Sequence, residues 1–227
     1  MDQKIPFTSY DFWAYLSAGF LLLFAIDSAA GTKLLMRDSW TVVQGTVAVS
    51  VAYAIGQLVA SLSSLVFERG LVGSVLGYPR NVLFGDPKAP HWLRLPLRAY
   101  FQPLPPETQA AALKKGEKIG VVRHGEALFL PAYIHARQMP QVAGRLESFL
   151  NLYGFCRNTA LVAFIDAVVW YWSYLRPGGP PEYLLWARLA VIVGIGMTLR
   201  YLKFYRLYAN EVFVAYAYGQ DEKKGDR

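Results

Sequence analysis

Hydrophobic and polar positions along this chain sort into four long apolar runs separated by stretches of different character. The runs occupy residues 12–30, 40–66, 158–174 and 183–202. Each is too long for a barrel strand, and at about 17 residues or more each suits a helix crossing a hydrocarbon core. Only helices and closed barrels satisfy their backbone in lipid, so the pattern predicts an all-α membrane protein with four transmembrane helices. Between the second and third runs the composition turns to Pro, Gly and charge. That change predicts a small, mainly helical cytoplasmic domain inserted there. The expected organisation is an N-terminal transmembrane hairpin (1–66), a basic domain (67–156), a C-terminal hairpin with a cytoplasmic extension (157–218) and a polar tail (219–227).

Charge gives the orientation. The short connections, 31–39 and 176–182, hold only Lys33, Arg37 and Arg176 as cations. Residues 67–156 hold eleven Lys and Arg against six Asp and Glu, and the stretch from Arg200 onward adds six more cations. Cation-rich flanks stay in the cytoplasm, which predicts a bacterial inner-membrane protein with both termini inside. Aromatic residues fall at the expected headgroup levels: Tyr10, Phe12, Trp13 and Tyr15, then Trp40, then Trp170 to Tyr174, then Tyr183 and Trp186. Overall composition agrees. The chain is 54% hydrophobic and 17% charged, against roughly 45–50% and 25% in soluble domains.

Within the central domain, Tyr78-Pro79-Arg80-Asn81 and Gly85-Asp86-Pro87-Lys88 read as turns. Pro105-Pro106-Glu107 opens a helix that should run to Lys115 and stop at Gly116. A second helix is expected at 126–138, around Pro131, and a third from Gln141 into the third span. No phosphate-binding glycine motif occurs. His91, His124 and His135 lack metal-ligand spacing, so neither a catalytic residue, a metal nor a cofactor is expected. The single cysteine, Cys156, permits no intramolecular disulfide. It reads as a small buried hydrophobe, with a lipidated or redox-active thiol as the alternative. Residues 1–6 lack a clear basic start and no A-x-A-like cleavage site follows the first apolar run, so that run reads as a retained helix.

Polar residues inside the runs are the first candidates for function. Asp166, near the middle of the third span, is costly in lipid and should face a bundle interior or a water-filled cavity. Gln57 lies at a similar depth and is its expected partner. Ala48, Ala52, Gly56, Ala60 and Ser64 recur at every fourth position, with Gln44 preceding them on the same stripe. Such a stripe lets helix backbones approach closely, either within one subunit or as a subunit seam or pore face. Asp27 and Arg188 match in depth and are expected to form an ion pair.

The second group is basic. Arg94, Arg98, Lys114, Lys115, Lys118, Arg123, Arg137, Arg145 and Arg157 either hold the domain to anionic lipid or bind a phosphate-bearing ligand, with Tyr100, Phe101 and Tyr133 available for base stacking. Arg200, Lys203 and Arg206 recur every third residue amid Tyr201, Phe204, Tyr205 and Tyr208. That segment should lie against headgroups or pack on the central domain and couple it to the membrane.

Two motifs add a resemblance. Tyr10-Asp11-x-x-x-Tyr15-Leu16-x-x-Gly19 and Arg200-Tyr201-x-Lys203-Phe204-Tyr205-Arg206-x-Tyr208-x-x-Glu211-Val212-Phe213 resemble the two ends of small membrane effectors from bacterial antiviral defence systems of the CBASS-like and Hailong type. The resemblance implies a partner enzyme that makes a nucleotide signal, and an effector that depolarises or permeabilises the cell. The central domain carries no such likeness. Two readings follow. One is an oligomeric channel or membrane-disrupting effector gated by a nucleotide or oligonucleotide, its partners being the bilayer, further copies of itself and that ligand, but not duplex nucleic acid. The other is a non-conducting scaffold that docks a cytoplasmic protein. A membrane enzyme would need more convergent polar groups than are present, and a transporter would need broken helices or a repeat.

Overall fold

A computed structural model describes residues 11–219. Tyr10, the side chains of Phe12 and Trp13, and residues 220–227 of the expected tail lie outside the described residues. Every regular element among those described is helical. Helix α1 (Ser17–Ala30) continues a π-helical turn at Asp11–Leu16 and ends at Gly31, whose φ of 70° closes the last turn with a left-handed residue. Helix α2 (Val42–Ser63) starts at a capping box. The Thr41 hydroxyl accepts from the Gln44 amide, and the Gln44 side chain accepts from the Thr41 amide. The rod then runs on in π geometry through Ser64–Leu76 and stops at Gly77, φ 92°.

Short helices α3 (Pro79–Val82), α4 (His91–Arg94) and α5 (Arg98–Phe101) lead to α6 (Pro106–Glu117) and α7 (Glu126–Gln138). Proline at the first turn and Glu107 near the positive dipole end begin α6. It passes Gly116, the residue expected to end it, by one residue, and Gly116 is buried where a Cβ would meet Leu128 and Val121. Two long helices complete the chain, α8 (Pro140–Leu175) and α9 (Glu182–Tyr218).

Among the described residues three helices are long and apolar enough to cross a membrane: Val42–Val82, Pro140–Leu175 and Glu182–Tyr218. A shorter apolar helix covers Ala14–Ala30. The chain divides into two compact units, one of residues 1–69 with 151–202, the other of residues 70–150 with 203–227. Both α8 and α9 therefore contribute residues to each.

In the first unit the buried positions on α1, α2, α8 and α9 are led by alanine: Ala18, Ala52, Ala60, Ala160, Ala163, Ala187 and Ala190. Large apolar side chains point outward instead, with Val42 87%, Val168 68%, Leu58 66% and Ile192 65% exposed. Helices in lipid gain nothing by hiding leucine from the solvent, so close backbone contact through small residues holds them together. The second unit has a core of Leu83, Leu104, Leu128, Leu146, Val212, Phe213 and Tyr216. Phe213 meets Phe84 and Phe129 edge-on, at 5.0 and 5.7 Å between ring centroids. The basic–aromatic end of α9 thus forms a central wall of this unit.

Candidate functional site

The most connected polar cluster lies in the first unit and centres on Arg157, which is only 7% exposed. Its Nε donates to Ser63 Oγ at 3.0 Å, one terminal nitrogen reaches the Ala60 carbonyl at 3.4 Å, and the other pairs with Glu68. Ser63 donates to Asn158 Oδ1 at 2.6 Å, and Asn158 Nδ2 donates to the Ala14 carbonyl at 2.7 Å. One network therefore joins the entry to α1, the end of α2 with its π extension, and α8. The guanidinium's fork suits this multiple bonding. Arg157 was expected among the ligand-binding cations; burial and full engagement with Glu68 and Ser63 remove it from that set. The available sequence signal was opposite charges, Glu68 and Arg157, bordering two apolar runs, although Arg69 stands beside Glu68.

Asp27 is buried but does not meet Arg188. Its carboxylate accepts from the Thr32 hydroxyl and from the amides of Leu34 and Leu35, at 2.8 and 3.0 Å for the amides. A carboxylate one turn before a helix end gathers the free amides of the loop that follows, and this one folds 31–35 back onto α1. Arg188 is exposed and borders a groove with Phe164, Tyr171 and Val191. Nor does Gln57 partner Asp166: it donates to the Tyr53 hydroxyl at 3.0 Å, one turn earlier on its own helix. Asp166 is 6% exposed, and its Oδ1 is buried with no partner. Gln44 belongs to the α2 cap.

The small-residue stripe packs within the chain. A Cβ at Gly56 would collide with the Tyr15 carbonyl, and one at Gly19 with that of Ala52. Ala52, Gly56 and Ala60 are buried against α1 and its neighbours, whereas Ala48 and Ser64 are half-buried. The Ser64 hydroxyl donates to Glu68.

In the second unit the basic residues separate into bonded and open. Arg94 donates to the carbonyls of Ala89 and Pro87 at 2.7 and 3.3 Å. Lys115 contacts His135 Nε2 at 3.2 Å and the Gly219 carbonyl at 3.1 Å, with Tyr216 beneath it. Arg145 pairs with Glu211 at 2.7 Å. Arg98, Lys114, Lys118, Arg123 and Arg137 are exposed, the last over the Tyr133 ring at 5.6 Å. Of the nine expected ligand cations, Arg94, Lys115, Arg145 and Arg157 are thus engaged within the chain, and the other five are exposed. Of the suggested coupling residues, Arg200 bonds the Cys156 thiol, Lys203 is exposed, and Arg206 donates to the Gln102 carbonyl at 2.7 Å. Cys156 itself is buried. Tyr100 is also buried, and its hydroxyl donates to the Gly77 carbonyl at 2.8 Å. Burial, with Tyr205 nearby, pushes its phenol above the ordinary tyrosine range.

Among the described residues no group of His, Cys, Asp and Glu is arranged to hold a metal ion. Comparison of the chain with protein-family models, with curated proteins and with solved structures gives no match.

Proposed function

We propose that this chain is a four-span protein of the bacterial inner membrane, with both termini and the basic unit in the cytoplasm. It works as an oligomeric channel or membrane-disrupting effector, gated by a nucleotide-type anion in antiphage defence. The observation that carries the reading is Asp166. A carboxylate inside a bilayer-length helix is retained at considerable cost unless it serves a path or a partner, and here one oxygen is buried with none. This oxygen is enclosed by the chain's own helices, so it meets a donor or a hydrated conduit only when those helices part, the step that a gating ligand would drive in the oligomer. The exposed Lys114, Lys118, Arg123 and Arg137 remain open to an anionic ligand, and α8 and α9, shared by both units, provide continuous backbone ladders along which its binding is felt.

The scaffold reading draws on a different observation: the small-residue stripe, Asp27 and Arg157 are all satisfied within one chain. Liposomes loaded with a self-quenched dye and an ion-sensitive probe separate the two. With a panel of cyclic and linear oligonucleotides, the wild type is expected to leak with one ligand, and Asp166→Ala to change the leak while assembling normally. Inserted, folded protein that leaks under no ligand overturns the channel reading in favour of the scaffold.

A further inference from the structure

The segment between Gly85 and Pro103, in the second unit, displays an apolar wedge that nothing in the unit covers. Trp92 is 71% exposed and Leu95 70% exposed, three residues apart on and just after α4. Isolated exposed hydrophobes are ordinary, but these two sit on a turn fastened from behind. Lys88 Nζ donates to the Gly73 carbonyl at 2.8 Å. The Arg94 guanidinium ties the carbonyls of Ala89 and Pro87, and the Tyr100 hydroxyl ties that of Gly77. Arg94 thus braces the segment's own turn, and Lys88 and Tyr100 tie the segment to the backbone around Gly73–Gly77, while Trp92 and Leu95 are left outside.

The charge of the segment is mainly positive, and its one acid, Asp86, faces His124. From Pro87 to Pro106 the chain carries Lys88, Arg94 and Arg98, together with His91, and no Asp or Glu. His91 and Arg98 are exposed beside the wedge. Tryptophan prefers the headgroup level of a bilayer, and each cation near an anionic surface adds favourable attraction. A protein partner's apolar groove would take the wedge as well, but would not call for a twenty-residue stretch without an acid.

The geometry points to a peripheral docking surface for anionic phospholipid, in which Trp92 and Leu95 enter the headgroup layer and Arg98 and His91 meet lipid phosphates. This is a contact of the second unit with lipid, separate from the spanning helices, and it stands whether or not the chain conducts.

The full-length chain, with Cys156→Ala and bimane attached through Ala99→Cys, is reconstituted in vesicles of phosphatidylcholine alone or mixed with phosphatidylglycerol. In the anionic vesicles the probe is expected to be quenched by headgroup-depth spin-labelled lipid and shielded from iodide. Arg98→Ala should lower the docked-to-free ratio about fivefold, and Trp92→Ser with Leu95→Ser should abolish lipid quenching. A helical circular-dichroism signal and monodisperse elution keep misfolding out of the result. A probe open to iodide and untouched by lipid-borne quencher in anionic vesicles overturns the proposal. Shielding without lipid quenching also overturns it, and assigns the wedge to protein.

Discussion

The two units solve the same problem, holding helices together, with opposite choices of residue. The first puts alanine and glycine where helices touch and turns valine, leucine and isoleucine outward. The second gathers leucine, phenylalanine and tyrosine inside. The difference is the one that surroundings of lipid and of water would select. In water, a large apolar side chain is worth burying because burial removes area from the solvent. In lipid it is not, so contact is made by backbones that approach closely and by the few polar groups that cannot remain unpaired. The Arg157 network and the aromatic cluster around Phe213 are the corresponding anchors.

Substitutions that exchange these roles test the contrast most sharply. Phe213→Ala should cost about 3–5 kcal/mol in the second unit, whereas Leu58→Ala, on the outer surface of the first, should leave thermal unfolding in detergent almost unchanged. Equal losses would erase the distinction between the two interiors. Arg157→Ala leaves Glu68 with the Ser64 hydroxyl but no cation, and should destabilise by about 3 kcal/mol. Pairing Arg157→Met with Glu68→Leu should recover most of that loss, and a double variant as unstable as the single would assign the network a role beyond charge balance. Gly56→Leu forces a side chain into the Tyr15 backbone and should cost about 1–3 kcal/mol. Gly196→Leu, where a side chain enters open space, is the control expected within about 0.5 kcal/mol of wild type. The smallest effect belongs to the α2 cap, where Thr41→Ala should cost about 1 kcal/mol and expose the Thr41–Gln44 amides to faster hydrogen exchange.

Helix was legible in the sequence because apolar runs of that length have few alternatives. One helix start was legible too, since Pro106 with Glu107 opens α6; the Thr41-x-x-Gln44 box that opens α2 was passed over, because Gln44 read there as part of a stripe. Partnership was not legible. Glu68 and Arg157 stand 89 residues apart, and no local pattern says which of several cations a lone acid will find. Depth matching suggested Arg188 for Asp27, but the amides of Leu34 and Leu35 lie a few residues away and need acceptors of their own. Gln57 was likewise taken by Tyr53, one turn distant. For Asp27 and Gln57 the donor or acceptor nearer in the chain won, which equal depth in a membrane cannot reveal. The basic residues show the same limit, since a list of cations does not say that Arg94, Arg145 and Lys115 are already engaged.

The π-helical stretch at Ser64–Leu76 also changes how this rod should respond to editing. Along it the buried positions run Ser63, Phe67, Val72, Leu76, four, five and four residues apart, so one helical wheel cannot describe residues 42–76. A π turn holds a residue more than an α turn does. Deleting one residue within 64–76 can therefore be absorbed where it falls, by local conversion to α geometry, with the faces on either side kept in phase. The same deletion inside Val42–Ser63 has no such slack and turns everything beyond it by about 100°. The stretch is, in effect, a register buffer between two parts of one rod.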